Sequence, residues 1–220
     1  MLIYFQLLHI VIPPVHRDNQ LVDRFQKVVG TLVTLIEPVP LETLARLAGT
    51  ANALVWEALD KLPSVISVPE DPQGIPQIYH PSFPGFLKDP RRCLDEGLLI
   101  VPSRAHAFLA SSCLELMTSH LKRNMCDIKE PFKLDDEVGG PNDHVGKVIA
   151  PWLRYACLHW GEHVANALVG NPEVKTRLEE FCTRGVVYWL EAVSLLGYLE
   201  KAALFLDDIR EWAVSIFLHF

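Results

Sequence analysis

The chain has 220 residues, half of them hydrophobic and 21% charged, which is enough to bury a core and too apolar for a disordered polymer. Its net charge of −7 opposes non-specific binding to nucleic acid or to an anionic membrane surface. Five cysteines (Cys93, Cys113, Cys126, Cys157, Cys182) are widely spread and never form C-x-x-C, so the expectation is buried free thiols in a reducing, cytoplasmic setting.

The first segment, MLIYFQLLHIVIPPV, predicts a buried leading helix within residues 1–20, stopped by Pro13-Pro14. It lacks a basic start and a small-residue cleavage site, and it falls short of the ~20 apolar residues that span a bilayer. Leu21 to Ile36 has helical spacing, with Leu21, Phe25, Val28, Val29, Leu32 and Leu35 on one face. Leu41 to Ala48 predicts a short second helix ended by Gly49, and Ala51 to Leu62 a third, closed by Pro63. Two β-type runs, Val65–Val68 and Gln77–Tyr79, then flank a tip rich in Pro, Asp and Gly, which predicts a hairpin with a long loop. The second run leads into His80-Pro81-Ser82-Phe83 and an aromatic helix through Phe86 and Leu87.

From Ser103 onward the spacing is helical. Ala105, Phe108, Leu109, Cys113, Leu116 and Met117 mark one helix expected to continue to about Cys126. Residues 127–147, with Asp135-Asp136-Glu137 and Gly139-Gly140-Pro141, predict a flexible loop. Pro151 suits the first turn of the next helix, and Asn171-Pro172 reads as an N-cap with Pro at the first helical position. Val186 to Leu196 follows with Gly197 as its stop, and a last helix starts near Leu199. Trp152, Trp160, Trp189 and Trp212 have the spacing of core positions rather than of a cofactor box.

Three helices and a hairpin, with a histidine where the second strand turns into a helix, resemble the winged-helix domain of the STAND signal-transduction ATPases, which include the NACHT and NB-ARC switches. The similarity is nearest to NACHT proteins of mushroom-forming fungi. It is carried by FQKVVGTLVTLIEPVPLETLARLAG (Phe25–Gly49), SVISVPEDPQGIPQIYHPSFPGFLKDPRRC (Ser64–Cys93), CLELMTSHLKRNMCDI (Cys113–Ile128), LRYACLHWGEHV (Leu153–Val164) and YWLEAVSLLGYLEKA (Tyr188–Ala202). The resemblance implies a mainly α chain: a winged-helix domain with one β-hairpin at about 21–92, then an antiparallel helical array or superhelical domain at 101–220. The leading helix resembles the end of the ATPase region that precedes a winged helix in such proteins. His80 stands where the family's histidine touches the β-phosphate of ADP in the closed state, and such a contact is a charge-assisted hydrogen bond.

The family's P-loop is not found. The only Gly-Lys pair, Gly146-Lys147, has Gly140 one residue out of register with G-x-x-x-x-G-K-S/T and Val148 where Ser or Thr is needed. Nor is a Walker B strand expected, since no apolar run ending in paired acids stands out as one. The expectation is therefore a non-enzymatic regulatory and scaffolding portion of a NACHT-type switch in fungal immune-like or self/non-self signalling. Its partners would be a NACHT ATPase core, in cis or in trans, and other protein modules, with ADP or ATP present only through that core. Both ends read as interior elements, so a fragment or truncated product is expected, or a stand-alone interaction module acting in trans.

Two other functional classes have partial signals in the sequence. A DNA-binding winged helix would place Arg and Lys on its third helix, which here carries Glu57, Asp60 and Lys61; across Leu21–Pro90 five Lys/Arg (24, 27, 46, 61, 88) stand against eight Asp/Glu (23, 37, 42, 57, 60, 70, 71, 89). A zinc hydrolase is spelled by His159-Trp160-Gly161-Glu162-His163, an H-x-x-E-H pattern that puts His159 and His163 on one helix face beside Glu162. It lacks a third protein ligand, and Gly161 weakens the helix that would present the pair; these three residues read as a decoy. Ser82 lies in H-P-S-F rather than a nucleophile elbow, and Cys93 and Cys126 sit near basic residues as helix surfaces often do.

Overall fold

A computed structural model describes residues 2–13, 19–127, 141–200, 202–206 and 210. The chain is mainly helical with one small antiparallel sheet, and it divides into two compact units, Met1–Ala105 and His106–Phe220. No helix among the described residues is long and apolar enough to cross a membrane.

The first unit contains α1 (Leu2–Val11), α2 (Asn19–Thr34), α3 (Leu41–Leu47), α4 (Asn52–Asp60), β1 (Ile66–Ser67), β2 (Gln77–Ile78) and α5 (Ser82–Leu87). Helices α2, α3 and α4 pack against one another pairwise. Their contact is made by the expected apolar faces: Phe25, Val28, Val29, Leu41, Leu44, Leu47, Val55, Leu59 and Leu62 are all buried. Leu32 and Leu35 are only half-buried, and Val33 lies inside instead. Gly49, at φ +61°, ends α3: its N–H donates to the Arg46 carbonyl and that of Thr50 to Ala45. The α1 expectation needs correction, because Ile3 and Ile10 are 74% and 77% exposed while Leu8 and Ile12 are inside. This helix is buried along one stripe only.

The strands are two residues each, pairing Ile66 with Ile78 and Ser67 with Gln77, and the Tyr79 N–H donates onward to the Val65 carbonyl. The loop between them does not stand free. Pro40, which precedes α3, offers no side-chain cap. The carbonyls of Gly74 and Pro72 take that role, accepting the N–H groups of Leu41 and Glu42 at 3.0 Å each. Gln73 adds a bond from its amide to the Glu42 carboxylate. A Cβ at position 74 would lie 2.5 Å from that of Pro69, so only glycine lets the loop close.

The second unit opens within α6 (Pro102–His120) and continues through α7 (Pro141–Val148), α8 (Pro151–Asn166), α9 (Pro172–Arg184) and α10 (Val186–Leu195), with further helical residues at 202–206. Helix α10 packs on α8 and α9. Trp160, Phe181 and Trp189 form the centre, with ring centroids 4.9–6.1 Å apart and the two indoles edge to face. The Trp189 indole N–H donates to the Cys157 carbonyl at 2.9 Å. Caps read from sequence are present: the Asn171 side chain accepts from Glu173 and Val174, and Gly197 at φ +78° ends α10.

Three expectations change here. Helix α6 stops at His120 rather than near Cys126, and beyond it Asn124 and Asp127 adopt left-handed φ of 52° and 50°, which a continuing α-helix does not admit. The flexible loop expected at 127–147 is helical from Pro141, where Val145 and Ile149 are buried one turn apart; residues 128–140 lie outside the described residues. Of the five thiols, four are buried and Cys182 is exposed. Burial pushes the Cys157 thiol up to about 12 and raises Cys113 further, with the neighbouring Cys157 adding to it. A chromogenic disulfide reagent should therefore titrate one thiol rapidly in the native chain and the other four only in denaturant. Two or more fast thiols would contradict this burial. Trp212 lies outside the described residues.

Candidate functional site

His80 sits where β2 gives way to α5, and its side chain is exposed. The ladder bond of Tyr79 ends the strand, and Pro81 fixes the backbone just before the helix begins at Ser82. The imidazole is held on one side. Its Nδ1 accepts the Ser82 backbone N–H at 3.1 Å and lies 2.7 Å from the Ser82 hydroxyl. Among the described residues its Nε2 has no partner. One edge of the ring is thus anchored and the other presented to solvent.

Helix α1 closes over this corner. The Tyr4 ring packs at 5.4 Å on Phe83 and 5.6 Å on Phe86, both buried residues of α5. Its hydroxyl lies 2.8 Å from Ser82 Oγ. At the other end of α1, His9 Nε2 is 3.0 Å from Asp95 Oδ2. Lys88, just after α5, donates at 2.6 Å to the Val33 carbonyl in the last turn of α2, and burial lowers its pKa. The sequence carried no sign of the Tyr4–Ser82 contact, which joins residues 78 positions apart.

The H-x-x-E-H residues lie in the second unit, on α8. His159 and His163 are both buried, one turn apart, and Glu162 is half-exposed. His163 is occupied at both nitrogens: Nδ1 lies 2.9 Å from His106 Nδ1, and Nε2 lies 3.0 Å from the Tyr155 hydroxyl. The His159 ring packs tilted against Tyr155, with centroids 4.6 Å apart. Burial holds the His163 pKa down at about 3, and the neighbouring His106 and His159 push it in the same direction. A neutral imidazole with both nitrogens engaged has no lone pair to offer a metal without breaking a bond. Among the described residues no three His, Cys, Asp or Glu side chains are grouped to hold a metal ion. Gly161 does not interrupt α8. It admits Phe205, whose Cβ and Cγ would lie 3.1 Å from any Cβ placed there.

Gly146-Lys147 is part of α7 and not of a loop. A helix directs its N–H groups along its own axis, so this pair cannot cradle phosphates as a P-loop does. Comparison with family models, with curated proteins and with solved structures finds no match to this chain.

Proposed function

We propose that the chain is the non-enzymatic control portion of a NACHT-type STAND switch, with residues 21–92 acting as a winged helix and the second unit as a helical linker array. The observation that carries this reading is the presentation of His80. A solvent-facing imidazole edge is fixed at a strand-to-helix corner behind three helices and a hairpin. Docked against an ATPase core, that edge donates to a nucleotide phosphate, and the bond exists only while core and corner are together. Nucleotide state and domain arrangement are thereby linked.

Supporting this reading over a DNA-binding winged helix is the state of the hairpin loop. Its carbonyls at Pro72 and Gly74 are committed to α3, and Glu70 and Asp71 on it are exposed and acidic. On the third helix, α4, Glu57 is also engaged, by Arg24 of α2 at 2.7 Å and by Lys61 at 3.4 Å.

The test is a composite in which this chain follows a complete NACHT ATPase core. Substituting His80→Ala should speed ADP release roughly ten- to hundred-fold, the equivalent of about 1.5–3 kcal/mol for a hydrogen bond to a charged group. An unchanged release rate removes His80 from the switch.

A further inference from the structure

We infer that the start of α5 fixes His80 as an Nε2–H donor, so that the group it meets must be a hydrogen-bond acceptor such as a phosphate oxygen. This rests on the reading of His80 as a nucleotide sensor and names what its ligand must offer. A helix start leaves four N–H positions without an intrahelical partner. In α5 those positions are Pro81, Ser82, Phe83 and Pro84, and the two prolines have no N–H. Two donors remain, and His80 takes both. Its carbonyl accepts from the Phe83 N–H at 3.1 Å, and its Nδ1 accepts from the Ser82 N–H at 3.1 Å. Pro81 itself offers no side-chain cap.

A main-chain N–H can only donate, so Nδ1 carries no proton and the neutral ring holds its proton on Nε2. The Ser82 hydroxyl, 2.7 Å from Nδ1, follows as a second donor and does not decide the tautomer. Helix α1 does not decide it either, because the deciding bond lies within residues 80–82. A side-chain acceptor bonded to the N–H two residues on is the usual work of Asn or Asp, and either would close this corner. Histidine adds a second ring nitrogen, and here it faces solvent with the hydrogen on it. Such an edge meets an oxyanion and has no lone pair for a metal ion. The Ser82 main-chain N–H is the positioning group, and the helix cap and the ligand contact are two ends of one ring.

The test begins with the full 220-residue chain above pH ~8, where histidines are neutral. Two-bond ¹⁵N–¹H correlation spectra should show His80 with a single Nε2–H pattern in wild type, Tyr4→Phe and Ser82→Ala alike, since all three keep the main-chain N–H of residue 82. An Nδ1–H or mixed pattern in any of them overturns the assignment. Exchange of the Ser82 amide with water should quicken roughly fivefold in His80→Ala, the factor a typical cap is worth, and stay near wild type in His80→Asn, whose oxygen replaces Nδ1. Position 80 is two residues from that amide, so its intrinsic exchange rate is unaffected. An unchanged rate in His80→Ala also overturns the assignment. The composite with a NACHT core then separates the two ends of the ring. His80→Asn keeps the cap, but its amide falls short of the position of Nε2, so it should release ADP as fast as His80→Ala. Retention of ADP by His80→Asn but not by His80→Ala overturns the donor role. If both release ADP as wild type does, the cap and the tautomer stand and the sensor reading falls.

Discussion

Trp189→Ala should cost about 3–5 kcal/mol, the range for deleting a fully buried aromatic side chain. Trp189 has no exposed surface, meets Trp160 edge to face at 5.4 Å, lies 6.1 Å from Phe181 and donates to the Cys157 carbonyl. Truncation removes its apolar area from the core, leaves a cavity between α8, α9 and α10, and strips the indole bond. For a unit of this size the corresponding fall in Tm is roughly 15–30 °C by circular dichroism. Trp152 supplies the contrast. It is half-buried and touches His120 through an edge contact at 4.8 Å, so Trp152→Ala should cost far less. Equal losses for the two variants would contradict the placement of the core at Trp189.

Acidification is the second large effect. His163 is held neutral in the fold, with a pKa of about 3 produced first by burial and then by His106 and His159. In the unfolded chain the same imidazole titrates near 6.5. Between those values the unfolded state binds a proton that the folded state refuses, so stability rises with pH through this window and is lost as pH falls below about 6.5. The slope is about 1.4 kcal/mol per pH unit, which gives a loss of about 2 kcal/mol between pH 6.5 and pH 5. Urea melts over that interval measure it, because most carboxylates remain ionised there. His163→Gln removes the titrating group and should flatten the dependence while lowering stability at neutral pH. Parallel wild-type and variant curves would remove His163 as the origin.

Backbone punctuation was the most legible part of the sequence. Gly49, Gly197 and the Asn171-Pro172 pair each mark a boundary because their chemistry acts locally, through left-handed φ or a side-chain oxygen within reach of its own helix start. The apolar faces of α3 and α4 were legible for the same reason. Helix α7 was missed because Gly139-Gly140 and a charged stretch precede it, while its signal consists of Pro141 and the pair Val145 and Ile149. The exposed side of α1 was missed because a run of uniformly apolar residues carries no period to say which face is inward.

Of the candidate site, His80 and its corner could be read, since strand, proline and helix follow directly in the chain. Its partner Tyr4 could not, because contact across 78 positions leaves no local trace. The same holds for His106 and Tyr155 around His163. The H-x-x-E-H spelling drew attention to metal chemistry, whereas the partners that occupy His163 come from another helix and from one turn further back on α8. Spacing on one helix fixes which side chains share a face, and it does not fix what the opposite wall supplies.

The hairpin loop has one more implication. Because Pro72 and Gly74 lend their carbonyls to Leu41 and Glu42, the excursion between the strands works as a ruler. An added or deleted residue would slide both acceptors off the start of α3 and leave two donors of the helical core unmet. The tip should therefore be sensitive to length before identity, with a residue added or removed costing more than a side-chain change at the exposed positions 70 to 73. At position 74 it admits no side chain beyond hydrogen.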